Sequence, residues 1–154
     1  MALQELDNSN IAVHLGSISK YKSSYDPSLL VREPRQSNRT HLDLHDDDLP
    51  FEGGDTWNAY EVSGLTNHGL PVAGVGKIYY PCDGKYIVES KSIKLYFNSF
   101  NMTKLGDTSD EVRKEIGRLA SVDLSKLLEV NVEVKIFSNR EVLNTDVTPR
   151  KEYL

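Results

Sequence analysis

Residues 89–96 read Glu-Ser-Lys-Ser-Ile-Lys-Leu-Tyr, at the point where an extended segment gives way to a helix. The first backbone N–H groups of a helix lack intrahelical partners. With the side chains of Ser90, Lys91 and Ser92, they could bind an anion such as a phosphate. Glu89 could accept paired N–H donors from a purine-like ring. An N-capped helix with solvated lysines explains the same residues equally well.

An acidic, histidine-containing cluster lies upstream and comprises His41, Asp43, His45 and residues 46–48. Two histidines four residues apart can bind a metal ion when both lie on one face of a helix. Here the segment runs into Pro50 and is rich in turn formers. We therefore predict a solvated loop rather than a metal site.

Cys82 is the one cysteine of the chain, so neither an intramolecular disulfide nor a multi-thiolate zinc site is possible. The neighbouring carboxylate of Asp83 disfavours a thiolate, and no histidine is close in sequence. We expect a turn cysteine with a structural or incidental role rather than a nucleophile.

Extended segments occupy the middle of the chain. Residues 59–63 alternate in polarity, so that Tyr60 and Val62 would share one face. A short glycine-containing loop follows, and an extended run covers residues 72–80. The two runs predict an antiparallel hairpin. A second turn precedes the apolar stretch 86–88.

Two helices and a strand come next. Apolar residues at helical spacing predict one helix over residues 91–101, and a second that begins at Thr108 with a capping box to Glu111. Residues 124–128 extend the second helix after a break. Alternation over residues 130–137 indicates a strand, for which the polar tail over residues 138–154 offers no convincing partner. The order of elements predicts an α+β fold, with helices on an antiparallel sheet.

The composition limits the class of protein. The 154 residues suffice for one ordinary domain, and 18 basic against 23 acidic residues give a formal charge of -5. A general nucleic-acid binder would normally carry the opposite sign, because phosphate neutralisation drives its affinity. Apolar runs are too short for a membrane span, and residues 1–10 lack signal-peptide features. We expect a soluble, cytoplasmic protein.

The first fifty residues contain scattered apolar side chains among many turn formers. This pattern predicts an extended amino-terminal arm over residues 1–52 that packs on the main body through residues 29–31. We expect the folded domain over residues 53–137. Residues 138–154 form a polar tail or the start of an interdomain linker.

The stretch 89–96, followed by Phe-Asn-Ser-Phe-Asn at 97–101, resembles the signature of the NADPH-dependent 7-cyano-7-deazaguanine reductases, the nitrile reductases of queuosine biosynthesis. The resemblance covers about residues 15–137. Other segments resemble the amino-terminal half of the long, two-domain form of the family: Leu15-Gly16, Tyr25-Asp26-Pro27-Ser28-Leu29-Leu30, Pro34-Arg35, Asn38-Arg39, Leu49-Pro50-Phe51, Asp55-Thr56-Trp57 and Tyr60-Glu61.

The resemblance implies a tunnelling fold (T-fold), an antiparallel sheet with two helices packed on one face. It also implies a tRNA-modification pathway in which two hydride transfers from NADPH convert a nitrile into an aminomethyl group, without a metal. In the family a cysteine thiolate adds to the nitrile and an aspartate handles protons. Carried over, Val88, Glu89 and Ser90 would contact the deazapurine substrate, and Ser90 and Lys91 would contact NADPH.

The chain departs from the family pattern at the residues that perform the chemistry. Residues 65–66 and Val72 occupy the places of the nucleophilic cysteine and the aspartate, and Cys82 lies too close to Glu89 to replace that cysteine. The family's substrate-binding His-Glu pair has no counterpart in residues 103–107. In the long form these residues lie in the second half. The chain therefore resembles the first half alone, and we expect no catalytic residue in it.

The leading hypothesis is a reductase module completed by a second T-fold domain or chain that carries the cysteine. We expect a homo-oligomer without nucleic-acid or membrane partners. A catalytically silent binding or assembly module is the alternative, favoured by an unpaired strand edge at residues 130–137. A pterin enzyme of the same fold would need a zinc site or a suitable His and Cys set. Four scattered histidines and one cysteine argue against it.

Overall fold

Six strands and four α-helices make up the part of the chain that this computed structural model describes, residues 24–144. In chain order they are β1 (Arg32–Pro34), α1 (Arg35–Arg39), β2 (Gly54–Thr66), β3 (Pro71–Pro81), β4 (Tyr86–Val88), α2 (Ser90–Ser99), β5 (Lys104–Gly106), α3 (Ser109–Leu128), β6 (Glu133–Phe137) and α4 (Asn139–Asn144). The predicted α+β class is confirmed, but the sheet is not antiparallel throughout, because β5 pairs parallel with β2 at Leu65 and Thr66. Within residues 24–144, no helix has both the length and the apolar character needed to cross a membrane.

The main sheet has the strand order β5-β2-β3-β6. β2 and β3 form the predicted antiparallel hairpin, and the turn between them places Gly69 at φ 83°, which glycine adopts readily. β6 pairs antiparallel with β3, with Glu133 opposite Tyr79. β3 is thus a partner that the sequence pattern did not reveal, whereas the other edge of β6 has no strand partner among the described residues, in agreement with the expected unpaired edge. Alternation shows which face of a strand is buried, but it does not identify the neighbouring strand.

A β-bulge in β2 contradicts the alternation predicted for this strand. Ala59 lies opposite Gly76 and Val62 lies opposite Gly74, so Tyr60 and Glu61 together face one residue of β3. Tyr60 is 75% exposed whereas Val62 is 2% exposed, so they do not share a face. The extra residue shifts the phase of the strand.

Helix α3 carries the longest apolar stripe. Its buried residues recur at helical spacing: Val112, Ile116, Gly117, Ala120, Leu124 and Leu128. Thr108 and Glu111 form the predicted capping box, which satisfies backbone N–H groups at the helix start. The helix runs to Leu128 without the predicted break, and Glu129 ends it at φ 59°, in the left-handed region.

The core lies between the main sheet and helices α2 and α3. From β3, Ile78 and Tyr80 are fully buried, and Tyr96 and Phe100 are fully buried on the side of α2. The ring of Tyr25, from the arm, stacks on Phe100 with 4.7 Å between the ring centroids. Residues that precede the main sheet in sequence therefore complete the core beneath α2.

The segment before β2 contains more regular structure than an extended arm would. It includes α1, and its strand β1 pairs antiparallel with β4 in a separate two-stranded sheet. Leu30 is buried, as are two arginines of α1. Arg35 forms an ion pair with Asp55, and Arg39 forms one with Asp46. These ion pairs explain how charged residues enter the interior.

Candidate functional site

The signature stretch begins α2, and Glu89 caps the helix. The two carboxylate oxygens of Glu89 accept the backbone N–H groups of Lys91 at 2.9 Å and Ser92 at 2.7 Å. Two donors that an anion could have used are therefore already bonded, so the N-capped helix describes this turn better than a cradle of free N–H groups.

The four predicted site residues differ in exposure. Val88 ends β4 and is 2% exposed, whereas Ser90 is exposed. Glu89 and Lys91 are half-buried. The side chains of these neighbours therefore face different surroundings, although they follow one another in the chain.

A groove of about 360 Å³ opens between β2 and α2, with Ser90 on its wall. Its apolar lining consists of Trp57, Ala59, Ile78, Ile93 and Phe97. Its polar lining consists of Asn58, Tyr60, Glu61, Ser90, Lys94 and Asn98. A cleft that combines apolar walls with polar groups that can orient a ligand is the usual form of a small-molecule site.

Sequence reasoning missed most of this groove. Lys94 and Asn98 follow Ser90 at intervals of four, so helical spacing could have placed all three on one face. Tyr60 and Glu61 reach the groove where the bulge interrupts β2, and no local signal in the sequence marks that interruption.

A second polar cluster lies towards the other end of α2. Asp123 Oδ2 accepts two phenolic O–H groups, from Tyr25 at 2.5 Å and from Tyr96 at 2.6 Å. Burial, followed by the hydrogen bond and the negative charge of Asp123, raises the pKa of Tyr25 to about 12. The same causes raise the pKa of Tyr96. Both phenols therefore remain donors at neutral pH.

This cluster predicts that the free energy of unfolding falls as the pH rises above about 10, the ordinary pKa of tyrosine. A phenol whose pKa is higher in the folded than in the unfolded chain stabilises the fold fully below the unfolded pKa, and loses that contribution as the pH rises through the folded pKa. For Tyr25 the loss extends to about pH 12. Denaturant titrations at a series of pH values measure this loss of stability. Tyr25→Phe should make the dependence shallower, and an unchanged dependence would contradict the assignment.

Of the predicted site residues, Ser90 lines the groove, whereas Val88, Glu89 and Lys91 do not. The acidic, histidine-containing cluster and Cys82 also lie apart from the groove lining. His41 and His45 are exposed, and Asp46 pairs with Arg39. Within residues 24–144, no group of three or more His, Cys, Asp or Glu side chains is placed to bind a metal. Cys82 is half-buried in the turn after β3.

Comparison with known proteins identifies close relatives. Residues 21–136 match the family model described as nitrile reductase, 7-cyano-7-deazaguanine-reductase N-term. The chain is 46% identical over 123 residues to the NADPH-dependent 7-cyano-7-deazaguanine reductase of Rickettsia massiliae, covering 80% of this chain and 43% of that protein. It is 45% identical over 142 residues to the Desulfotalea psychrophila protein of the same name, covering 92% and 49%. The chain spans about half the length of these curated relatives.

The matched region contains both the signature stretch and the elements that position it. Residues 21–136 include β1 to β5, α2, α3 and most of β6. The family predicted from the signature is thereby confirmed. The chain belongs to the amino-terminal domain family of the 7-cyano-7-deazaguanine nitrile reductases.

Proposed function

We propose that this chain is the ligand-binding half of an NADPH-dependent 7-cyano-7-deazaguanine reductase of queuosine biosynthesis. It would bind the nitrile substrate and part of NADPH, while a second half supplies the catalytic cysteine and aspartate. The observation that carries the proposal is the carboxylate of Glu89, which caps the start of α2 within the signature stretch. The relatives of this chain are named NADPH-dependent 7-cyano-7-deazaguanine reductases.

Glu89 can still accept hydrogen bonds from a purine-like ring. An ionised carboxylate has about four lone-pair sites, of which the N–H groups of Lys91 and Ser92 use two. The same two bonds fix the direction of the carboxylate before a ligand arrives, which lowers the entropic cost of binding. Because Val88 is buried, the deazapurine would meet its main chain rather than its side chain, and Ser90 would contact the ligand from the groove wall.

The residues present fit one part of NADPH. The exposed hydroxyl of Ser90 and the ammonium group of Lys91 suit a phosphate. Lys91 would act through its side chain, because its backbone N–H donates to Glu89. A groove of about 360 Å³ can enclose one ring system but not a whole dinucleotide. When bound, NADPH supplies the two hydrides that reduce the nitrile to an aminomethyl group.

Three observations support assigning the chemistry to another half. Leu65 and Thr66 end β2 where the family's cysteine would lie, and Thr66 is 3% exposed. Cys82 lies in the turn after β3, and neither it nor an adjacent residue lines the groove, whereas Glu89 adjoins the lining residue Ser90. The curated relatives are about twice as long as the matched region. We therefore propose a second T-fold domain or chain as the partner that completes the site.

The T-fold itself is part of this proposal. It is supported by the β2–β3 hairpin, the two helices α2 and α3, and the return strand β6. The proposal retains the division into an arm over residues 1–52, a T-fold domain over 53–137 and a tail or linker over 138–154. It also retains a cytoplasmic homo-oligomer. The formal charge of -5 supports the further expectation that nucleic acid is not a partner.

The proposal predicts that the purified chain binds 7-cyano-7-deazaguanine without consuming NADPH and without a covalent adduct by intact mass. Glu89→Gln should weaken binding of the deazapurine by about tenfold or more, because an amide cannot accept paired N–H donors as a carboxylate does. Titration calorimetry measures the affinity, and absorbance of NADPH is followed in the same sample.

Glu133→Gln is the matched control, because Glu133 is an exposed carboxylate on β6 and should leave the affinity unchanged. Absence of nitrile binding by the wild-type chain would contradict the ligand-binding role. An adduct, or steady loss of NADPH, would show that this chain carries catalytic residues, and Cys82 would then be the first residue to replace.

A catalytically silent assembly module is the second candidate, and the outer edge of β2 favours it. Among the described residues, β5 pairs with this edge at Leu65 and Thr66, and no other strand pairs with it. Unpaired strand edges promote association between chains. A stable homo-oligomer that binds the nitrile, yet remains inactive after the second half is supplied, would favour this role.

A further inference from the structure

Residues 25–31, here called the strap, run along α2 and are bonded to it near both ends. Near the end of the helix, the N–H of Tyr25 donates to Thr103 Oγ1 at 3.0 Å and the N–H of Asp26 donates to Ser99 Oγ at 3.2 Å. The ring of Tyr25 stacks on Phe100. These contacts fix one end of the strap.

The other end of the strap bonds to the first turn of α2. The N–H of Val31 donates to Ser92 Oγ at 3.0 Å, and the N–H of Glu89 donates to the carbonyl oxygen of Val31 at 2.9 Å. Ser92 is the residue whose own N–H donates to the Glu89 carboxylate. The strap is thus bonded directly to the turn that orients this carboxylate.

One carboxylate oxygen joins the strap to both long helices. Asp123, on α3, accepts the hydroxyl of Tyr25 from the strap and that of Tyr96 from α2 at the same atom, Oδ2. Hydrogen bonds to an ionised acceptor are shorter and stronger than those between neutral groups, and both distances fall in that class. Tyr96 is fully buried, so water cannot replace Asp123 as the hydrogen-bond partner of its hydroxyl unless the side chain moves.

A single helix, α2, connects Tyr96 to its N-cap residue Glu89. The two residues are seven positions apart, about 10 Å along the axis at the rise of an α-helix, and the helix between them is continuous. A rotation or sliding of α2 at Tyr96 therefore displaces Glu89, and a shift of Tyr25 displaces the strap that contacts Glu89 from the other side.

We propose that Asp123 is a positioning residue for the ligand-binding turn: by binding the hydroxyls of Tyr25 and Tyr96, it sets where Glu89 and its two N–H donors lie. The part of this inference that concerns ligand affinity rests on the proposed function. The part that concerns the geometry of the turn does not.

Asp123→Ala should shift the backbone amide resonances of Lys91 and Ser92 and accelerate their hydrogen exchange, beyond what the loss of global stability explains. It should also weaken binding of 7-cyano-7-deazaguanine by about three- to tenfold. Asp123→Asn should have a smaller effect, because the amide oxygen can still accept both hydroxyls. The matched control is Asp110→Asn, an exposed carboxylate on the same helix, which should leave both resonances in place.

Tyr96→Phe provides a second variant if Asp123→Ala does not fold, because it removes one hydroxyl and retains the buried ring. A lower melting temperature with unmoved Lys91 and Ser92 resonances in the folded variants would overturn the proposal and leave Asp123 a purely structural residue. Shifted resonances in a chain whose wild type binds no nitrile would support the positioning role while refuting the proposed function.

Discussion

Replacing Phe100 by alanine is expected to lower the free energy of unfolding by about 3–5 kcal/mol. Phe100 is fully buried at the end of α2. Its ring stacks on Tyr25 at 4.7 Å and meets Tyr96 edge-on at 5.2 Å between centroids. Truncation leaves a cavity and removes the surface on which the strap rests, so the loss includes packing as well as hydrophobic transfer.

Urea titration monitored by circular dichroism measures this change as a shift of the midpoint at a constant slope. Met102→Ala is the control, since Met102 lies two residues further along and is 66% exposed. Its effect should stay within about 0.5 kcal/mol. Equal, small effects of the two substitutions would contradict the buried position of Phe100.

The second large effect is expected at the ion pair between Arg35 and Asp55. The side chain of Arg35 is 8% exposed, whereas that of Asp55 is 32% exposed. Asp55→Ala leaves a buried guanidinium whose remaining bonds go to the carbonyl oxygens of Tyr86 and Pro81. Because an uncompensated buried charge is costly, we expect a loss of about 3 kcal/mol, the low end for buried pairs.

Arg35→Met tests the physical reason for this loss. It removes the buried charge and leaves the half-exposed Asp55 to be solvated, so it should destabilise the chain less than Asp55→Ala. Asp110→Ala, at a carboxylate that is 79% exposed, should change the stability by less than about 0.5 kcal/mol. A larger loss for Arg35→Met than for Asp55→Ala would show that the guanidinium's bonds to carbonyl oxygens dominate.

The parts of the fold that depend on neighbours in sequence could be predicted. The capping box of Thr108 and Glu111, the glycine turn of the hairpin and the apolar stripe of α3 each involve residues a few positions apart. The bulge at Tyr60 and Glu61 depends on how β2 pairs with β3, a relation that residue alternation does not contain. The partner of β6 could not be predicted for the same reason.

The burial of the arm was underestimated because its interior residues are charged. Arg35 and Arg39 resemble surface residues in sequence, and they are buried because Asp55 and Asp46 neutralise them in space. The starting turn of the candidate site was predictable because a signature marks it. The groove beside it combines residues of β2 and α2, two elements whose contact no short motif encodes.

The strap also determines when the domain can finish folding. Tyr25 and Asp123 are 98 residues apart in the chain, and Tyr25 and Thr103 are 78 apart. On the ribosome the strap emerges first, yet its acceptor on α3 is synthesised after nearly all the rest of the domain. Contacts of such long range close large loops and slow folding. Until α3 emerges, the Tyr96 hydroxyl therefore lacks its acceptor, and the core beneath α2 cannot close.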